Sequence, residues 1–382
     1  MNDGAHRNKS DNDISSDIWF NYVQWLSTAP DNIELTDDEI LTHIVSDSEL
    51  NNIITEYVVE TSICSLRNGC ASGLDGTSIE MFKCTLPYIR LLLVRLFNLV
   101  LDSGSFPVKW SENMVIPLHK QWTKTDPNNY RAISLVNTIS KLFTKCLSYR
   151  LTKWADDNAL IDEAQGGFRR CYSTVDMYLH CKHRCRNTLP KRRGRLYVFY
   201  IDFLKAFDSC IHTNLRESLE RKGIHSDSKF LVMFKSMYSN LNYCAKIKNG
   251  VTKSFQCEKG TKQGCVSSTI ICSVTFMFAD DVARLVDTVI NLQTHIDYTG
   301  DYCKATGMNI NVEQFKVMVV IFRYQKNFGY FNHIELFKQK RTEILLHLNY
   351  YSFSWHCIHT QLFTRLVTKQ GIITMDELCV KI

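Results

Sequence analysis

The residues that most restrict how this chain can fold are Leu196 to Asp202, which read L-Y-V-F-Y-I-D. Six apolar residues in a row, rich in aromatic and β-branched side chains, predict a strand buried on both faces. Asp202 ends the run. A carboxylate at the tip of a buried strand is costly unless something cationic waits for it. Taken alone, such an aspartate is better read as facing water or capping the next helix. A second acidic pair, Asp280-Asp281, stands between apolar Phe276–Ala279 and Val282-Ala283. Asp is a turn former, so that pair also reads as a hairpin turn. Two charges 4 Å apart repel by ~1 kcal/mol in water and ~4 kcal/mol at an effective dielectric of 20, and a dication offsets this. Two strands that each deliver carboxylates to one point predict a divalent-cation site.

The rest of the chain is ordinary enough to narrow the class. Its 382 residues, 45% hydrophobic and 22% charged, suffice for a large core in two or three subdomains. The net charge of +6 is too mild to require a nucleic-acid partner. Its clustering says more: Lys191, Arg192, Arg193 and Arg195 precede the Asp202 strand, with Lys182, Arg184 and Arg186 upstream. This is a solvated loop or a phosphate-gripping patch. Fifteen cysteines without a paired framework, and no charged segment followed by an apolar one at the start, predict an intracellular, reducing setting in nucleus or cytoplasm. His180, Cys181, His183 and Cys185 lack the second ligand pair of a zinc site. The longest apolar stretch, Leu86–Leu101, is broken by Pro87, Arg90 and Arg95. It falls short of the ~20 residues of a membrane span and predicts a soluble helix, with no membrane partner.

Local signals give the element order. Residues 1–30 read as a disordered polar arm. Helices are expected at Thr36–Glu49, Asn51–Asn68, Ile79–Leu101 and Ile139–Leu151, strands at Met114–Leu118 and Asn129–Leu135. Gly69, Gly73 and Gly76 mark one loop, A-S-G-L-D-G at Ala71–Gly76; Lys259–Gly264 is another. Ser173-Thr174 reads as a helix cap, and Asp208 as a cap for the helix after it.

Several of these segments occur in a telling order. N-Y-R-A-I-S-L at Asn129–Leu135, E-A-Q-G-G-F-R-R-C-Y-S-T at Glu163–Thr174, A-F-D at Ala206–Asp208, K-Q-G at Lys262–Gly264 and F-A-D-D at Phe278–Asp281 follow the A-x-G-x-D-G loop. Each is weak alone. As an ordered set, from about Asn68 to about Lys316, they resemble the reverse transcriptase domain of non-LTR (LINE-like) retrotransposons. The resemblance implies an α+β palm-and-fingers fold, its antiparallel palm sheet backed by helices. It divides the chain into a helical extension over 31–110, fingers over 111–195, a palm over 196–320 and a degenerate tail over 321–382. It implies an RNA-directed DNA polymerase that adds dNTPs to a DNA primer on an RNA template with two Mg2+ ions. Asp202, Asp280 and Asp281 would be catalytic and metal-binding, with the Phe203 carbonyl as a further ligand. Arg131 and Lys120 would meet the triphosphate, where a guanidinium fork matches phosphate oxygens. Phe207 would be the steric gate against ribose; its commoner fate is core packing. Gln263 and Gly264 would line the nascent base pair. Arg169, Arg170, Lys191, Arg192 and Arg193 would hold nucleic acid.

The chain also departs from the pattern. Ala132 stands where the family carries proline, and Val266 and Thr269 replace a proline pair. Only Gly264–Ala279 separates Gln263 from Asp280. A helix over 266–275 would span ~15 Å, so the palm reads as internally shortened between 264 and 278. In G-M-N-I-N-V-E-Q-F-K at Gly307–Lys316, Gln314 replaces the lysine that would protonate pyrophosphate; a neutral amide is no acid, which leaves Lys316 as the substitute. No thumb or endonuclease pattern is evident, and the chain reads as a truncated copy. An active polymerase, an inactive remnant that still binds nucleic acid, and a host structural protein all stay open at this level.

Overall fold

The computed structural model describes residues 14–29, 46–120, 123–161, 172–173, 176, 183, 195–247, 250–262, 268, 270–271, 281–312, 315–322 and 334–337. In chain order the helices are α1 (Ser16–Ser27), α2 (Ser48–Asn51), α3 (Glu56–Ser65), α4 (Ile79–Ser103), α5 (Val108–Ser111), α6 (Thr138–Asp157), α7 (Ala206–Ser209), α8 (His212–Arg221), α9 (Lys229–Ser239) and α10 (Val289–Thr306). The strands are β1 (Glu112–His119), β2 (Tyr130–Leu135), β3 (Arg195–Asp202), β4 (Asn242–Ile247), β5 (Gly250–Val251), β6 (Phe255–Gln256), β7 (Asp281–Val286), β8 (Lys316–Phe322) and β9 (Ile334–Phe337). The expected α+β class is borne out. The chain forms two compact units, one of Met1–Asp162 with Phe207–Met277, the other of Glu163–Ala206 with Phe278–Ile382.

The first unit is built on a mixed sheet in the order β2-β1-β4-β5, with β6 also pairing β4. β1 and β2 form an antiparallel ladder, Leu118 opposite Arg131 and His119 opposite Tyr130. β4 lies parallel to β1, Met114 opposite Cys244. Residues expected to be palm thus complete the sheet begun by the expected fingers, which departs from the linear division of the chain. α4 ends at Ser103, before Gly104, and buries Phe97 and Leu101. Phe97, Phe106, Trp110 and Phe143 stack edge-on or tilted, at centroid distances of 5.4–6.2 Å. By length and composition alone α4 could cross a membrane. Here its Leu93–Leu101 turns feed the core, and Arg90 pairs with Glu56 of α3 at 2.9 Å.

The A-S-G-L-D-G loop needs its central glycine for space. A Cβ on Gly73 would lie 2.6 Å from the Asn137 backbone nitrogen, where the chain enters α6. Asn137 in turn accepts from Asp75 N–H (3.2 Å) and donates to the Lys109 carbonyl (2.7 Å).

The arm expected to be disordered over 1–30 is helical over Ser16–Ser27, with the Ser15 hydroxyl at its N-cap. Trp19 is buried and meets the Tyr130 ring edge-on at 4.9 Å. Sequence polarity up to Asp17 hid the apolar face of Trp19, Val23 and Leu26 that drives this docking. The expected Thr36–Glu49 helix lies mostly outside the described residues. Asp208, expected as a cap, sits inside the one-turn α7 instead.

The second unit is an antiparallel sheet in the order β7-β3-β8-β9. β3 is central, as its buried apolar run requires. Tyr197, Phe199 and Ile201 face α10 and pack with Val282, Val286, Leu292, Ile296 and Met308. β9 falls in the expected degenerate tail yet adds a strand, Val319 opposite Phe337. Phe199 is fully buried at the middle of this core. Phe199→Ala should therefore cost about 3–5 kcal/mol of stability, measured by urea denaturation followed by circular dichroism.

Candidate active site

In the second unit the strand register decides what meets what. β3 and β7 run antiparallel with Ile201 opposite Val282 and Asp202 opposite Asp281. Residues of β3 alternate sides, so Asp202 shares a face with Val198 and Tyr200, away from the α10 side occupied by Phe199 and Ile201. Lys316, the first residue of β8, stands opposite Tyr200 and is half-buried. Directly opposed residues share a face, so Lys316 lies on the Asp202 side.

The segment after α10 completes this corner. Gly307 ends that helix, Met308 drops into the core, and Asn309–Asn311 returns antiparallel to Asp202–Leu204. Leu204 N–H donates to the Asn309 carbonyl (2.8 Å), and Asn311 N–H to the Asp202 carbonyl (2.7 Å). These bonds use the residues flanking Phe203, whose side chain is buried. The Asn311 side-chain amide then donates to Asp202 Oδ2 at 2.7 Å. Asn311 was not among the expected site residues. The only local signal was N-I-N in a stretch matched for its lysine position, and the partner lies 109 positions away.

A hard dication wants oxygen ligands. A carboxylate offers about four lone-pair sites, so Asp202 keeps coordinating capacity beside the Asn311 bond. Asp281 stands in backbone register with Asp202 across the strands, and carboxylate is a ligand type that Mg2+ takes. Among the described residues no group of three or more His, Cys, Asp or Glu gathers; Asp280 lies outside them, as do Gln263, Gly264, Arg169, Arg170, Lys191, Arg192 and Arg193.

The other expected positions fall in the first unit. Arg131 is exposed on β2 opposite Leu118. The ladder continues one step, Lys120 N–H donating to the Asn129 carbonyl at 2.8 Å. Strand alternation puts exposed Lys120 and Arg131 on one face of this hairpin. Phe207 is half-buried in α7, and its carbonyl accepts from Thr261 N–H at 2.7 Å.

That bond belongs to a tightly held loop. Lys259–Lys262 lies along Phe207–Ile211, with Gly260 N–H donating to the Cys210 carbonyl (2.7 Å). Gly260 has φ of +91°, and a Cβ there would press on the Asp208 carbonyl at 3.1 Å. From the other side the Ser27 carbonyl of α1 accepts from Glu258 N–H (2.8 Å) and Lys259 N–H (3.1 Å). Cys257, beside them, is buried, which pushes its thiol up to about 12. Lys262 is almost fully buried, its ammonium 5.3 Å from the Phe106 ring centroid. His212 Nε2 lies 2.9 Å from the Gly260 carbonyl, and its ring is 4.6 Å from that of Tyr238. Burial, with nearby Lys262, pushes His212 down to about 4, against the opposing pull of the Gly260 carbonyl.

Residues 122–277 match the family described as reverse transcriptase (RNA-dependent DNA polymerase). Over that segment the chain is similar to reverse transcriptases, and the curated relatives it matches belong to non-LTR retrotransposons. The probable RNA-directed DNA polymerase from transposon BS of Drosophila melanogaster is 22% identical over 77% of this chain and 35% of its own length. A Pol polyprotein from a type-1 R2 element of Popillia japonica is 23% identical over 64% of this chain and 36% of its own. The RNA-directed DNA polymerase from mobile element jockey of Drosophila melanogaster is 28% identical over 50% of this chain and 20% of its own. The chain thus spans about a third or less of the curated relatives it matches. A truncated apo telomerase from Candida tropicalis superposes with a TM-score of 0.45 at 15% identity, over 60% of this chain and 52% of that one. The matched reverse transcriptase segment contains Asp202, Phe207 and the His212-anchored loop, and stops before Asp280 and Asp281.

The low value for His212 has a definite sign for stability. Between pH 6.5 and about 4 the unfolded chain takes up a proton that the folded chain refuses. Its contribution is complete above pH 6.5 and is lost on acidification, by roughly 1.4 kcal/mol per pH unit in that window. Urea titrations at pH 7, 5.5 and 4.5 should show the folded state weakening, and His212→Gln should flatten that dependence.

Proposed function

We propose that this chain is an RNA-directed DNA polymerase domain that joins dNTPs to a primer 3′-hydroxyl. The observation that carries the reading is the register of Asp202 against Asp281 on adjacent antiparallel strands. Two acidic residues from distant parts of the sequence thereby reach one sheet end, in a chain similar to reverse transcriptases. Asp202, Asp280 and Asp281, with the Phe203 carbonyl, would hold two Mg2+ ions. When bound, those ions lower the pKa of the attacking hydroxyl and stabilise the leaving pyrophosphate.

The remaining roles follow from side-chain chemistry. Arg131 and Lys120, exposed on one hairpin face, suit the triphosphate: the guanidinium grips oxygens in pairs and the ammonium adds a point charge. Phe207, tied through its carbonyl to Thr261, suits a fixed ring under the sugar. Gln263 and Gly264 follow directly on the anchored loop and suit the nascent base pair. Lys316, on the Asp202 side of its sheet, suits the proton donor that Gln314 cannot be. Arg169, Arg170 and the Lys191–Arg193 run suit the RNA template and DNA primer, where cationic side chains bind through phosphate. The free cysteines, among them buried Cys146, Cys210, Cys244 and Cys257, accord with an intracellular setting.

Primer extension on an RNA template with magnesium tests this. The chain should extend a DNA primer with dNTPs, and Asp202→Asn and Asp280→Ala should each abolish extension. Extension by either variant at the wild-type rate rejects the carboxylate assignment. Absence of extension together with salt-sensitive binding of the primer–template duplex identifies a nucleic-acid-binding remnant instead.

A further inference from the structure

We propose that Asn311 is the positioning residue of the site, the side chain that orients the Asp202 carboxylate toward a divalent cation; this rests on the reading of Asp202 as a cation ligand. The chain takes hold of Asp202 at two points with one residue. Asn311 N–H donates to the Asp202 carbonyl and the Asn311 side-chain amide donates to Asp202 Oδ2, both at 2.7 Å. The backbone bond fixes where Asn311 sits. The side-chain bond restricts how the carboxylate turns, because one of its oxygens, Oδ2, is committed to the amide.

Asn311 is itself held from both sides. Phe315 N–H donates to the Asn311 carbonyl at 3.0 Å, and buried Met308 anchors the approach from α10. The neighbouring Phe203–Ile310 bridge keeps the two segments in line. The amide is therefore delivered by the backbone rather than by a swinging side chain. A charge-assisted bond of this kind selects one carboxylate rotamer ahead of binding. The chemistry also favours amide over acid: a carboxylate at position 311 would place a like charge against Asp202, whereas an amide donates without competing for the cation. Groups that orient metal ligands in this way typically change affinity by 10–100-fold when removed.

Mn2+ binding to the full chain, followed by water-proton relaxation, tests the assignment without relying on polymerase activity. Asn311→Ala should weaken Mn2+ binding on the order of tenfold or more, and Asn311→Ser, which keeps a short donor, should recover part of the loss. Circular dichroism of Asn311→Ala, and of Asn311→Asp, which is equal in size to the native side chain, should match wild type, which separates lost binding from lost folding. Wild-type affinity in both Asn311→Ala and Asn311→Asp, with binding lost in Asp202→Asn, overturns this proposal alone. Equal binding by wild type and Asp202→Asn, or no binding by either, overturns the reading of Asp202 as a ligand and the proposal with it.

Discussion

The second unit depends on β3 lying between β7 and β8. That pairing satisfies the backbone of a strand too apolar to face water. Its Tyr197, Phe199 and Ile201 side chains enter the core under α10, and its last residue, Asp202, is left at the edge of that core. A carboxylate there would ordinarily oppose folding. The structure does not bury it bare. It gives the carboxylate an amide partner from Asn311 and a register match with Asp281. The apolar strand and the acidic end are one arrangement: the first sets the position of the second to within a residue.

The first unit follows a similar logic with different parts. The β1–β2 ladder carries Arg131 and Lys120 outward because Tyr130, one residue before Arg131, is taken inward by Trp19. The loop before Gln263 is fixed by backbone bonds to Cys210, Phe207 and Ser27. A buried lysine over Phe106 and a neutral histidine under the Gly260 carbonyl hold its far side. Side chains expected to meet a nucleotide thus project from elements whose own placement is set by apolar packing and main-chain bonding.

Much of this was readable from local pattern. β1, β2, β3 and α4 lie within two residues of their expected bounds, because each carries a strong period, cap or breaker, while α6 starts one residue early and runs on to Asp157. What escaped is non-local. Asn311 gains its meaning from a partner 109 positions away, and no spacing rule reports that. α1 was hidden by the polar residues before it. The division into units was missed because the chain leaves the first unit after Asp162 and re-enters it at Phe207, and linear composition carries no trace of such a return. Gly73 reads in sequence only as a loop marker, whereas its place is set by the nearness of Asn137.

The docking of α1 has a consequence for anything attached to or cut from the chain's beginning. The Ser27 carbonyl receives the amides of Glu258 and Lys259, and Ala29 N–H reaches the Glu258 carboxylate at 3.2 Å. Glu258 and Lys259 are thereby bonded to a helix more than two hundred positions earlier in the sequence. A cut after Ser27 would sever α1, and with it the carbonyl that receives both amides, from the covalent chain that carries the loop leading to Gln263.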